Sequence, residues 1–280
     1  MKTLAQDLGT KNIDQETDIN NLLQGNKKIV ALMGASQSGT SFILNNIAKL
    51  LSDKGINVAI LDTTQNRSSY YIYSQNEANL RKIATTSIEK LAQGESKGIQ
   101  VNDNLTVYTA FPGENKYLKE VETILETLLK NHSLVLIDCD FNTPINYFEY
   151  AEELYLVQTM DILTIQPLTE VLSNMRNKGV LQDEKLRIII NKYMNIQGIT
   201  EKEIIGAMAY YNDPSMSYMR ELFNRNLVKY ITIPFGKDIY ERYLEAIVNC
   251  DINLEDYTQD FIQTLNELSK EIYPFDNVDN

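Results

Sequence analysis

Histidine occurs once, at His132, and cysteine twice, at Cys139 and Cys250. One imidazole and two distant thiols at no metal-ligand spacing argue against a histidine-based metal centre or a catalytic triad, and the thiols are expected to be reduced. Basic charge is also short. Lys and Arg number 26 against 38 Asp and Glu, a net charge of −12, which repels a phosphate backbone and offers nothing to anionic lipid. Nonspecific nucleic-acid binding is therefore not expected. No apolar run approaches the ~20 residues that span a bilayer, and the amino terminus has no signal-peptide core. The last helical stretch is acidic, unlike a basic lipid-anchoring helix. The chain is accordingly read as cytoplasmic, with no direct membrane anchor. No internal repeat or low-complexity tract stands out.

What is present is an ordinary globular composition, 43% hydrophobic over 280 residues, enough for one large α/β domain or two small ones. The most informative stretch is Val30-Ala31-Leu32-Met33-Gly34-Ala35-Ser36-Gln37-Ser38-Gly39-Thr40-Ser41. It reads as a buried strand, a glycine-bounded loop and the start of a helix, the context that makes a G-x-x-x-x-G-K-[ST] pattern a phosphate cradle. Gly34 and Gly39 permit a loop whose N–H groups turn inward, and the helix start at Thr40-Ser41 offers unpaired donors to an anion. Ser41 supplies the hydroxyl that would touch Mg²⁺. Position 40, however, is Thr where a nucleotide-hydrolysing loop carries Lys. The missing ammonium costs roughly 1.5–3 kcal/mol of charge-assisted bonding, about ten- to a hundredfold in affinity. Lys28, ~16 Å back along the strand, and Lys49, ~13 Å down the helix, do not reach. Arg67 is the nearest candidate in pattern, against the plainer reading of a solvated loop arginine.

Apolar runs ending in polar residues recur along the chain. A strand at 57–61 ends at Asp62, a carboxyl strand end where α/β sites are built. The following stretch, 63–71, reads as a polar and then aromatic loop. Leu134-Val135-Leu136-Ile137-Asp138 has the form of a Walker B strand whose Asp would hold Mg²⁺ through water. Asp140 follows in a loop, either adding charge near a metal or simply solvated. The run 186–190 ends at Asn191, whose amide could read a purine edge or merely satisfy backbone. Further strands are expected at 29–33, 105–108, 154–157 and 227–234. Helices are expected at 42–51, 76–93, 117–129, 168–181, 200–209, 216–224, 240–248 and 254–272. The resulting fold class is α/β, a mainly parallel sheet flanked by helices on both faces. Its divisions are an amino-terminal extension over 1–26 with a short helix on Ile13, Ile19, Leu22 and Leu23, the α/β domain over 27–273, and a tail over 274–280.

The loop, the strands ending at Asp62, Asp138 and Asn191-Lys192, and the final Ile233-Pro234 together resemble the MinD/ParA-type P-loop ATPases over about 27–248. The resemblance implies a parallel α/β fold, dimerisation across ATP, and a role in positioning cargo. It assigns Gly34, Ser38, Gly39, Thr40, Ser41, Asp62, Asp138 and Asn191 to a remnant ATP/ADP site, with Ser41 and Asp138 as the metal ligands if Mg-nucleotide binds. That family's loop has the form G-K-G-G-x-G-K-[ST]. Here Ala35 and Thr40 stand at the two lysine positions, and Ser36 and Gln37 replace the paired glycines. The resemblance therefore points to a degenerate, catalytically impaired member, similar to TadZ-like proteins. Such a protein is expected to be a homodimer and a scaffold with protein partners in a larger bacterial assembly. The tyrosine-kinase branch of the superfamily is disfavoured, because the 17 tyrosines are scattered and only Tyr273 lies beside the tail.

Overall fold

The computed structural model describes residues 19, 23, 26–75, 77–114, 120–161, 165–199, 201, 204, 205 and 228–275. In chain order they form β1 (Lys28–Gly34), α1 (Thr40–Asp53), β2 (Val58–Asp62), α2 (Ser68–Tyr73), α3 (Ala78–Ala92), β3 (Ile99–Asn102), β4 (Leu105–Tyr108), α4 (Val121–Asn131), β5 (Leu134–Cys139), α5 (Asn146–Glu149), β6 (Glu153–Gln158), α6 (Ile165–Asn177), β7 (Leu186–Tyr193), β8 (Lys229–Pro234), α7 (Lys237–Asn249), a 3₁₀ turn (Leu254–Asp256) and α8 (Gln259–Ile272).

The strands make one eight-stranded sheet in the order β3-β4-β2-β5-β1-β6-β7-β8. Every pairing is parallel except β3 with β4. Central strands buried on both faces must be apolar throughout. In β1, successive side chains serve opposite layers: Ile29, Ala31 and Met33 pack with α4, α5 and α6, while Val30 and Leu32 pack with α1, α7 and α8. Helix α1 is buried along most of its length because the sheet lies on one side and α8 covers another with Phe261, Leu265 and Leu268.

The topology gathers the polar strand ends at one edge. Leu32 of β1 lies beside Asp138, and Asp62 of β2 beside the same residue. The sheet thus places the Gly34 loop, Asp62 and Asp138 along three adjacent strands.

Several elements differ from the sequence reading. Part of the expected loop at 63–71 is helix α2, whose Tyr70, Ile72 and Tyr73 are buried against α1 and α3. The antiparallel edge strand β3 and the one-turn helix α5 had no counterpart in that reading. Strand β7 continues past Ile190 to Tyr193 with an irregularity in its pairing to β8. Ile19 and Leu23 are helical, and both pack on the core. The rest of that helix, the one expected at 216–224 and most of 200–209 lie outside the described residues. Phe275, assigned to the tail, packs against the α8 layer.

Candidate functional site

The loop between β1 and α1 is shaped by two glycines for different reasons. Gly39 has φ +88°, and a Cβ there would sit 2.3 Å from the Asn191 amide nitrogen. A side chain is excluded both by conformation and by its neighbour. Gly34 lies where the loop folds back on the strand end. A Cβ at that position would meet Ser38 Oγ at 2.3 Å, Thr40 Oγ1 at 2.5 Å and the Val157 carbonyl at 2.5 Å. The Ser38 and Thr40 hydroxyls bond to one another at 3.0 Å, and both residues are buried. Thr40 therefore turns inward onto its own loop instead of reaching outward.

Asn191 holds the loop from across the sheet. Its Nδ2 donates to the Ser38 carbonyl at 2.8 Å, so in this arrangement the amide nitrogen serves the loop backbone. The next residue is the one that the sequence reading missed. Lys192 has φ +55°, and its Nζ donates to the Gln37 carbonyl at 3.0 Å. An ammonium group thus sits on the loop rim, brought there by a strand 150 residues further along the chain.

The two carboxylates lie on adjacent strands, both fully buried. Asp62 is well supplied with donors: Thr64 N at 3.0 Å, Thr64 Oγ1 at 2.7 Å, Ser69 N at 3.1 Å and Thr109 Oγ1 at 3.3 Å. Burial pushes its carboxyl above the usual range, while the charge of Arg67 and the Thr64 and Ser69 bonds pull it back part of the way. Asp138 has no such cage. Neither of its oxygens has a hydrogen-bond partner among the described residues. Burial first, then the charge of Asp62, raise it well above the carboxylate range. Asp140 adds to the rise, and the nearby Ser41 hydroxyl and Arg67 offset only part.

Arg67 is not solvated. It is 1% exposed, adopts φ +49° at the start of α2, and its guanidinium donates to the Asp62 carbonyl. It serves as an internal counter-charge to the carboxylate pair, on the side away from solvent. Asp140 also does more than face water. Its carboxylate accepts from Gln65 N at 2.6 Å and Asn142 N at 2.8 Å, tying the loop after β2 to the loop after β5. Cys139 is buried and its thiol is pushed well up by burial, which leaves it inert.

Two clefts meet over this edge. One, of about 410 Å³, is walled by the Gly34–Ser41 loop, Thr64–Asn66, Asp138–Asn142 and Tyr243. It is rich in hydroxyl and amide groups and has no cationic side chain in its lining. The other, of about 450 Å³, is walled by Asn191, Lys192, Pro234–Gly236, Tyr240 and Tyr243 and is more apolar. They share Gln37, Gly39, Phe42 and Tyr243. The arrangement suits a ligand with an apolar ring at one end and polar groups at the other. Of the residues assigned from sequence, Gly34, Gly39, Thr40, Ser41 and Asp138 line the first cleft and Asn191 the second. Ser38 and Asp62 lie behind the walls. No group of three His, Cys, Asp or Glu side chains that could hold a metal occurs among the described residues.

No family model matches the sequence, and no curated protein matches it. Solved structures do. A plasmid partition protein from Borrelia burgdorferi bound to AMPPNP is 17% identical, with TM-score 0.59 over 88% of this chain and 100% of the other. A ParA family ATPase from Chlorobium tepidum is 15% identical, with TM-score 0.63 over 87% and 98%. The MinD cell division protein of Aquifex aeolicus is 11% identical, with TM-score 0.64 over 89% and 98%, and has also been solved as a MinC:MinD complex. The fold is therefore that of the ParA/MinD P-loop proteins.

Proposed function

We propose that this chain is a ParA/MinD-fold protein with negligible ATP turnover, acting through protein contacts as a localiser or scaffold in a larger bacterial assembly of the pilus, secretion, conjugation or partition kind. One observation carries the reading: Thr40 turns its hydroxyl onto Ser38 while Asp138 stands unpartnered in the same cleft. The residues fit a magnesium nucleotide only at one end. Two partnerless carboxylate oxygens beside Ser41 are what a hard cation would satisfy. At the other end, γ-phosphate charge would enter a cleft with carboxylates and no ammonium in its walls, where the repulsion is uncompensated. No hydrolytic step is assigned to these residues. The face formed by Ala35, Ser36 and Gln37, which carries no loop lysine because Thr40 stands where one is usual, would let two copies meet without nucleotide, as a constitutive homodimer. A steady-state assay on pure protein tests the reading. Phosphate release at background is expected, and turnover that vanishes in Asp138→Ala would make the protein an ATPase.

A second reading, an ATP-binding and slowly hydrolysing protein whose cation comes from elsewhere, draws support from Lys192 at the loop rim. It requires the ammonium to leave the Gln37 carbonyl for a phosphate. Mg-ATP affinity that falls on Lys192→Met would favour it.

A further inference from the structure

Five of the nine large apolar side chains that stand exposed among the described residues lie on α7 and the α2 region packed against it. Three of them, Tyr240, Leu244 and Val248, project from α7 at i, i+4 and i+8, with Val248 80% exposed. That spacing makes a stripe about two turns long, distinct from the inward face of Ile239 and Ala246. Helix α2 packs against α7, where the Cys250 thiol meets the Tyr71 carbonyl at 3.6 Å. Tyr71, 57% exposed, continues the stripe. The Tyr70 ring bridges it to exposed Phe111, with centroids 5.6 Å apart on each side.

A patch this large and this localised marks a contact surface, and the charge around it selects the occupant. Residues 237–256 carry six acids against two bases, Lys237 and Arg242. Both bases are engaged within the helix, with Glu241 at 2.9 Å and Glu245 at 2.6 Å. On the helical wheel Glu241 and Glu245 run alongside the apolar stripe. A second copy of this face would bring the same acidic excess against itself, and an anionic membrane would be repelled in the same way.

We infer that the α7 stripe is the docking site for an amphipathic helix of a partner protein, one that lays apolar residues on Tyr240, Leu244 and Val248 and carries Lys or Arg beside them. This deepens the protein-contact reading above and fails separately from it, since that reading stands or falls on nucleotide turnover. The probe is a fluorescein-labelled 18-residue helical peptide of leucine and lysine, with a leucine–glutamate peptide of the same apolar face as its counterpart. The full chain should bind the basic peptide at least tenfold more tightly than the acidic one. Leu244→Ser with Val248→Glu should lose tenfold or more, and Glu241→Lys with Glu245→Lys should narrow the preference for the basic peptide to less than threefold. All four side chains are solvent-facing, so circular dichroism should show unchanged folding. Equal binding of both peptides, or binding indifferent to the α7 substitutions, overturns the inference. So does self-association that Val248→Glu abolishes, or co-sedimentation with phosphatidylglycerol vesicles that it abolishes.

Discussion

At the two edges of the central sheet, particular buried polar groups are treated differently. At the amino edge, Lys28 is held by Glu153 at 2.8 Å and the Ile272 carbonyl at 2.7 Å, and Glu153 is also approached by Arg187 at 3.5 Å. Nearby, His132 bonds Asn57 at 2.8 Å and Tyr108 at 3.0 Å, and Tyr108 bonds Ser96 at 2.6 Å. At the carboxyl edge, Asp138 and Gln158 have no partner for any side-chain polar atom among the described residues. Where Lys28 and His132 are paired for stability, Asp138 and Gln158 stand unpaired beside an Asp62 that is well supplied, so the lack is local to those two groups and marks them for something other than stability.

The largest effect should come from breaking the satisfied edge. His132→Ala opens a cavity and strips Asn57 and Tyr108 of a partner, an expected loss of about 3 kcal/mol, measured by urea unfolding. Supplying the other edge with what it lacks comes next. Thr40→Lys adds the absent ammonium and should raise Mg-ATP affinity ten- to a hundredfold, roughly 2 kcal/mol, by titration calorimetry. No gain would show that the loop, and not its charge, is the obstacle.

Asp138→Asn should then stabilise the protein by about 1–2 kcal/mol at pH values above the raised carboxyl value, since burial and the neighbouring Asp62 disfavour the charge it removes. The edges also respond to pH with opposite sign. His132 is pushed down to about 4, by burial first and then by the charge of Lys27. Its neutral form belongs to the folded state, so its contribution is complete above the unfolded value near 6.5 and is lost as pH falls toward 4. Asp138 is raised, so its protonated form belongs to the folded state and its penalty is relieved as pH falls through that raised value. The advantage of Asp138→Asn should therefore shrink on acidification, and His132→Ala should flatten the acid limb. Both are read from unfolding midpoints between pH 7 and 4. The smallest effect is that of Lys192→Met, which should change Mg-ATP affinity less than about twofold while the ammonium stays on the Gln37 carbonyl, a fall of about fivefold, roughly 1 kcal/mol, favouring the second reading instead.

The sheet was legible because buried parallel strands leave runs such as Leu134–Ile137 that stop at a carboxylate. Gly34, Gly39 and Asp138 were legible for the same reason, as punctuation at strand ends. Strand β3 was not, because Gln100 on this four-residue edge strand faces solvent. Helix α2 was hidden by the polar run before it, and its driving force, the burial of Tyr70 and Tyr73, is tertiary. The burial of Arg67 was hidden because nothing local shows that its chain turns beneath Asp62. Lys192 left one signal, an Asn-Lys pair just past an apolar run. Its ammonium reaches the loop from a residue in the left-handed region, a conformation that the sequence does not announce.

The meeting of Gly39 with the Asn191 amide binds two distant positions into a single inheritance. A side chain at 39 would meet the amide at 191 and would still be strained at φ +88°, and shortening 191 would free the loop without relieving that strain. A change at either site alone runs through a worse protein, so each of the two positions guards the shape that the other completes.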